Sequence, residues 1–201
     1  MNRLYSHSDA GQAFPIYITV VGGLLLLAFA YLAVGQAAAN RNSAQTAADA
    51  AALAAALDTR DKLTDEWVEN ILDPTKWRDI FDGQGVTFGG CVRATQLAAQ
   101  NDAAVQCASH SEWEIPGYEV EATTNQSVGD SIVPGTENEH STERARAVIE
   151  PRCEFELPVT GAAPDVLPEL KCDDGVDWPL DPEDLTDLPK PEDLFDVHLA
   201  D

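Results

Sequence analysis

Phe14 to Val34 reads FPIYITVVGGLLLLAFAYLAV, an apolar run without a charged side chain. A hydrocarbon core about 30 Å thick is crossed by roughly 20 helical residues at 1.5 Å each, and this run is long enough. Around it the charge-free stretch is wider still, from Asp9 to Arg41. Pro15 falls in the first turn of the expected helix, where a missing N–H costs little. Tyr17 and Tyr31 stand near its two ends, where phenol rings reach the headgroups. A helix apolar on all sides is either buried in a large core or spans a membrane, and this short acidic chain has no second domain to enclose it. One membrane-spanning helix over 14–35, after a leader at 1–13, is the expectation. Ala37-Ala38-Ala39 also offers a signal-peptidase pattern, but the apolar run exceeds the usual h-region and Asp9 offsets Arg3. A retained anchor is favoured.

The 201 residues leave room for this anchor and one small domain. Twelve Lys plus Arg stand against 35 Asp plus Glu, for a net charge of −23. Arg3 and Asp9 cancel, so the excess lies from Arg41 onward. A phosphate backbone needs a basic face, so nucleic acid is excluded as a partner. The acidic part is well solvated and repels other acidic surfaces.

Cys91, Cys107, Cys153 and Cys172 all fall in the acidic part. Three pairings are open, and sequence order favours Cys91–Cys107 with Cys153–Cys172. Each would close a short loop and contribute on the order of 3 kcal/mol. No C-x-x-C spacing or nearby histidine pair speaks for zinc. Disulfides imply an oxidising compartment. Arg3 and Arg41 leave the positive-inside count nearly balanced, so the cysteines orient the chain: the N-terminus cytoplasmic, residues 36 onward outside the cell membrane.

Residues 36–62 contain no helix breaker. Alanine is the best helix former, so the spanning helix should continue outward as an Ala-rich stalk. Ala44, Ala48, Ala51 and Ala55 mark one smooth stripe, with Leu53 and Leu57 nearby. Small side chains let another helix approach closely. Periodicity alone allows the stripe to pack on the chain's own domain or on a neighbouring subunit, as a partner-helix contact or a homo-oligomer seam.

The leader Asp9-Ala10-Gly11-Gln12-Ala13 runs into an apolar helix, and Ala44-Gln45-Thr46-Ala47-Ala48-Asp49-Ala50-Ala51-Ala52-Leu53-Ala54 follows shortly after it. This order resembles the N-terminal module of TadE/TadG-like proteins of the Flp (tight-adherence) pilus assembly system, especially the actinobacterial TadG-related group. The resemblance covers residues 8 to 58. It implies a pseudopilin-like or accessory component of pilus assembly or secretion, in contact with the lipid bilayer and with pilins or other pilus-assembly membrane proteins. It also makes Gly11-Gln12 the candidate processing site. One departure stands out: where the TadE-type pattern has a glutamate five residues after the glycine, this chain has Ile16, preceded by Pro15. A permanently anchored accessory protein fits that departure better than a processed fibre subunit.

Beyond the stalk, residues 63–157 read as an α+β domain. Leu63, Trp67, Ile71, Trp77, Ile80 and Phe81 suggest two short amphipathic helices broken at Asp73-Pro74, with the tryptophans in the core. Gly83, Gly85, Gly89 and Gly90 form a connector without the Gly-Lys-Ser/Thr ending of a phosphate loop. Cys91 to Asn101 reads as a helix with Val92, Leu97 and Ala98 inward, followed by a strand at 105–107. Alternation at 118–122 and 145–149 predicts antiparallel strands around a loop at 129–135. A long helix followed by a small antiparallel sheet is pilin-like in outline. The acidic, Pro-rich segment 158–201 reads as an extended, loosely docked tail, anchored by Trp178 and by an edge strand at 194–199.

No catalytic, cofactor or metal site is legible. His7, His110, His140 and His198 are scattered, and no G-x-S-x-G, H-E-x-x-H or S-x-x-K occurs. Asp173, Asp174, Asp177 and Asp181 lack the spacing of a calcium loop. The expectation is a protein that is not an enzyme. The alternative reading is an envelope-anchored acidic module that binds cations or a basic partner surface.

Overall fold

The computed structural model describes residues 13–84, 86–111, 115–129, 135, 137–157, 167–173 and 175–200. One helix, α1 (Ala13–Glu69), runs unbroken for 57 residues, about 85 Å at 1.5 Å per residue. After Pro15 it meets no proline until Pro74, and its alanines favour continuation. The two halves of α1 differ in what surrounds them. Phe14 to Val34 is exposed almost throughout, whereas Ala44, Ala47, Ala48, Ala51, Ala52, Ala55 and Ala56 are completely buried.

One expectation is corrected here. Leu63–Glu69 is not a separate short helix but the last turns of α1; nothing before Asp73-Pro74 interrupts the ladder. The Ala-rich segment continues α1 as expected, and of the two packings open to its stripe it takes the one on the chain's own domain, its smooth face lying under the sheet and the third helix.

After α1, a short 3₁₀ turn at Pro74–Lys76 leads into α2 (Trp77–Phe81), and α3 (Cys91–Gln100) follows. Strands β1 (Ala103–His110), β2 (Gly117–Thr124) and β3 (Thr142–Pro151) then form a meander. A small second sheet joins β4 (Cys153–Glu154), β5 (Leu170–Cys172) and β6 (Asp177–Trp178). The turn α4 (Pro191–Leu194) delivers β7 (Phe195–Ala200) to the main sheet, whose antiparallel order is β1-β2-β3-β7.

Strand alternation places the core. On β2, Tyr118, Val120, Ala122 and Thr124 are buried, while Glu119, Glu121 and Thr123 alternate with them. Ala145, Ala147 and Ile149 of β3 complete the inner face, opposite the alanines of α1. Small residues on both sides bring helix and sheet close. The connector before α3 also crosses α1 closely: a Cβ on Gly90 would lie 2.2 Å from the Ala55 carbonyl oxygen, so only glycine fits. Beyond the alanines, Leu63, Trp67 and Ile71 widen the core into an aromatic cluster. Trp67 stacks edge-on against Trp77, Trp77 against Phe155, and Phe81 touches both Phe155 and Phe195.

Two further differences have simple physical reasons. Ala98 faces inward as expected, but Val92 is 70 % exposed and Ala94 takes its place; Val92 precedes Ala94 by two positions, about 200° round a helix, and the tight contact with α1 admits only small residues. The expected edge strand at 194–199 is β7, which pairs with β3 from Phe195–Pro151 to Ala200–Arg146, and the described part of the C-terminal segment is docked more firmly than expected, with Leu170, Cys172, Leu194 and Phe195 buried. Its acids lie between those anchors rather than at them.

Candidate assembly surfaces

With no catalytic constellation expected, the surfaces that contact other molecules are the candidate site, and three sets of side chains position them. The first is the outer half of α1. From Phe14 to Val34 its large apolar side chains stand 38–82 % exposed, more apolar area than a soluble monomer leaves in water. This segment is long and apolar enough to cross a membrane.

The second set joins α1 to the sheet where the exposed half ends. Asn40 Nδ2 donates to the Gln126 carbonyl at 3.0 Å. Asn40 Oδ1 accepts from the Ser141 N–H and from Thr124 Oγ1, each at 3.1 Å. Arg41 pairs with Glu143 one helical position later. Thus the end of β2 and the start of β3 are both tied to one asparagine. Exposed ion pairs such as Arg41–Glu143 contribute at most about 1 kcal/mol, so the amide of Asn40 carries more of this junction.

The third set lies in the core. Thr59 Oγ1 and the Tyr118 hydroxyl are 2.6 Å apart, and the Gly90 N–H donates to the same hydroxyl at 3.0 Å. Thr59 and Tyr118 are completely buried. One phenol therefore ties α1, the connector before α3, and β2. Burial pushes the Tyr118 phenol above its ordinary value of 10.0, against the pull of the Thr59 and Gly90 hydrogen bonds. Sequence reading missed this group, because a tyrosine at an alternating strand position carries no mark of its distant partner. Gly90, already set apart in the connector, was the only visible signal.

The disulfides brace the same architecture. Cys91–Cys107 joins the start of α3 to the middle of β1, and Cys153–Cys172 joins directly paired residues of β4 and β5. Arg152 extends the second clasp, donating to Asp173 and to the Glu192 carbonyl.

The four alanines singled out as a partner-helix stripe, Ala44, Ala48, Ala51 and Ala55, are each 0 % exposed. The chain's own sheet and α3 cover them, so this stripe has no room for a second helix; a repeat of small residues shows which face packs, not what packs on it. Gly11 and Gln12, the candidate processing site, lie outside the described residues, as do His7, Gly85 and Asp174. Of the other acids weighed against a calcium loop, Asp173 pairs with Arg152 and Asp181 accepts from the Glu183 N–H. Among the described residues no group of three or more His, Cys, Asp or Glu side chains is placed to hold a metal ion.

Grooves on the domain are open. One of about 430 Å³ lies where β7 ends, between Gln45 and Asp49 of α1, Arg144 and Arg146 of β3, and Leu199. Arg144 there is held by Glu121 across the strands. Another, of about 420 Å³, runs beside Asp65, Glu66 and Glu69, with Val86 and Thr87 opposite.

In comparison with known proteins, residues 11–58 match the family model described as "Putative Flp pilus-assembly TadE/G-like". No curated protein and no solved structure matches the chain. The matched segment covers the exposed half of α1, the Asn40–Arg41 junction and the buried alanines, and stops just before Thr59.

Proposed function

We propose, from the premise that residues 11–58 are a TadE/G-like module of Flp pilus assembly, that this protein is a permanently anchored accessory component of that machinery. Its external domain is rigidly fused to its membrane helix. The carrying observation is the continuity of α1, whose apolar half is exposed and whose alanine half is the spine of the folded domain. A displacement of the helix in the membrane is thereby passed to the domain without an intervening hinge. Contacts with pilins or other assembly proteins fall to the exposed half of α1 and to the outer surface of the domain. The chain works by these contacts and not by catalysis.

Two disulfides support placing the domain on the oxidising side of the membrane, with the N-terminus in the cytoplasm. The long helix under a four-stranded antiparallel sheet supports a pseudopilin-like outline. Ile16 and Pro15 support an uncleaved leader.

The test is site-specific photocrosslinking in the native membrane, with reporters at Leu25 and Leu32 on the exposed half of α1 and at Val92 on the domain. Crosslinks from these positions to pilus-assembly membrane proteins are the expected result, with the intact mass of the chain retaining residues 1–11. Crosslinks to lipid alone, together with unimpaired piliation when the gene is deleted, would overturn the proposal.

A further inference from the structure

We infer that the external domain rests directly on the bilayer, with residues 125–129 and 137–141, described parts of the β2–β3 connection, lying in the headgroup layer. The inference rests on the reading of Phe14–Val34 as a membrane span and adds a second contact with the lipid.

The height of this connection is set by hydrogen bonds near both its ends. Asn40 holds the Gln126 carbonyl at one end and the Ser141 N–H at the other, and Arg41 holds Glu143 just beyond. Along a straight helix, the six steps from Val34 to Asn40 rise about 9 Å. The hydrocarbon core is about 30 Å thick and the whole bilayer about 40–45 Å, which leaves roughly 5–7 Å of headgroup layer on each side. Asn40 thus stands about 2–4 Å outside the headgroups when the span ends at Val34. Any tilt of α1 brings it nearer. The first charge beyond the apolar run is Arg41 itself, so the hydrocarbon edge can lie further along the helix, and the height shrinks again.

Strand direction places the connection on the membrane side of the domain. Tyr118, at the start of β2, meets Thr59 far along α1, whereas Thr124, at its end, meets Asn40. β2 therefore runs toward the membrane, β3 runs away from it, and the connection turns at the near end.

The chemistry of its described residues suits headgroups and not hydrocarbon. Glu137, Asn138, Glu139 and His140 are exposed, and the Val128 N–H is held by the Glu139 carbonyl at 2.8 Å. Acidic side chains at this height complement the ammonium groups of zwitterionic lipids, whereas a charge driven into hydrocarbon costs several kcal/mol, roughly 2–4 at the midplane. The domain lies against the surface as a foot, with no free stalk beneath it.

The test uses the full chain in vesicles of phosphatidylcholine and phosphatidylethanolamine, with a tryptophan introduced as Asn138→Trp. Leu72→Trp is the control, beyond the far end of α1. Fluorescence is quenched by lipid carrying a nitroxide on its headgroup or deep in its acyl chain, and the unsubstituted chain supplies the background. The expected result is headgroup quenching several-fold stronger for Asn138→Trp than for Leu72→Trp, with weak acyl-chain quenching. Equal headgroup quenching of the two, in a chain that stays with the vesicles through an alkaline wash, overturns the inference and leaves the span standing. Stronger quenching from the acyl chain overturns it in favour of insertion. A chain released by the wash overturns the span reading and the inference together. Glu139→Trp is the second reporter should Asn138→Trp not fold.

Discussion

Replacing Tyr118 by phenylalanine should cost the domain about 2–5 kcal/mol, although it removes one oxygen atom from a strand residue. Two hydrogen bonds disappear, to Thr59 and from Gly90, each worth about 0.5–1.5 kcal/mol net. Thr59 can turn its hydroxyl back to a carbonyl of the preceding helical turn. The Gly90 N–H has no such freedom. It sits where the connector touches the Ala55 backbone, and leaving it unpaired adds about 1–2 kcal/mol. The assay is urea unfolding of the full chain in detergent, followed by the fluorescence of the buried Trp67 and Trp77. The midpoint should fall with an unchanged slope. Thr59→Val alone should cost less, and the double substitution should cost less than the sum of the two singles, with about 1 kcal/mol of coupling. A loss below about 0.5 kcal/mol for Tyr118→Phe, or strict additivity, refutes the reasoning.

The same phenol sets a pH dependence whose sign follows from its burial. Its folded-state value lies above the ordinary 10.0, so the folded protein keeps a proton that the unfolded chain has lost. The unfolded state then binds fewer protons, and stability falls with rising pH. The contribution is intact below pH 10 and is lost as pH climbs from there toward the raised value. Tyr118→Phe should abolish this slope.

Other expectations concern the spine and its braces. Ala51→Glu places a carboxylate at a fully buried position of α1 and should destabilise the domain by about 4 kcal/mol or more. Limited proteolysis should then show loss of the folded domain, and a folded domain would contradict the packing. The double substitution Cys91→Ala with Cys107→Ala opens a loop of 16-residue separation and should cost about 3 kcal/mol in the same urea assay, with α3 and β1 losing amide protection first.

The sequence by itself determined the features that depend on local composition and period. An apolar helix at Phe14–Val34, long enough to cross a membrane, follows from an uncharged apolar run, and the continuation of α1 from its alanines and the absence of proline. Alternation was enough to locate β2 and β3, and separation in the chain was enough to favour short disulfide loops. Even the face carried by Ala44, Ala48, Ala51 and Ala55 was legible, because a helical repeat is a property of neighbouring residues. What covers that face was decided only by tertiary structure. Strands from distant parts of the chain close over it, and small residues suit a sheet as well as they suit a helix. The C-terminal acids gave a false impression of looseness: the edge strand at 194–199 was legible as an anchor, but composition registers charge and proline and not the burial of Leu170 and Cys172. The groups that hold the domain to its helix were the least legible. Asn40 meets Gln126 across 86 positions and Thr59 meets Tyr118 across 59. A polar side chain carries no local sign of such a partner, because the hydrogen bond exists only once the sheet has folded onto the helix.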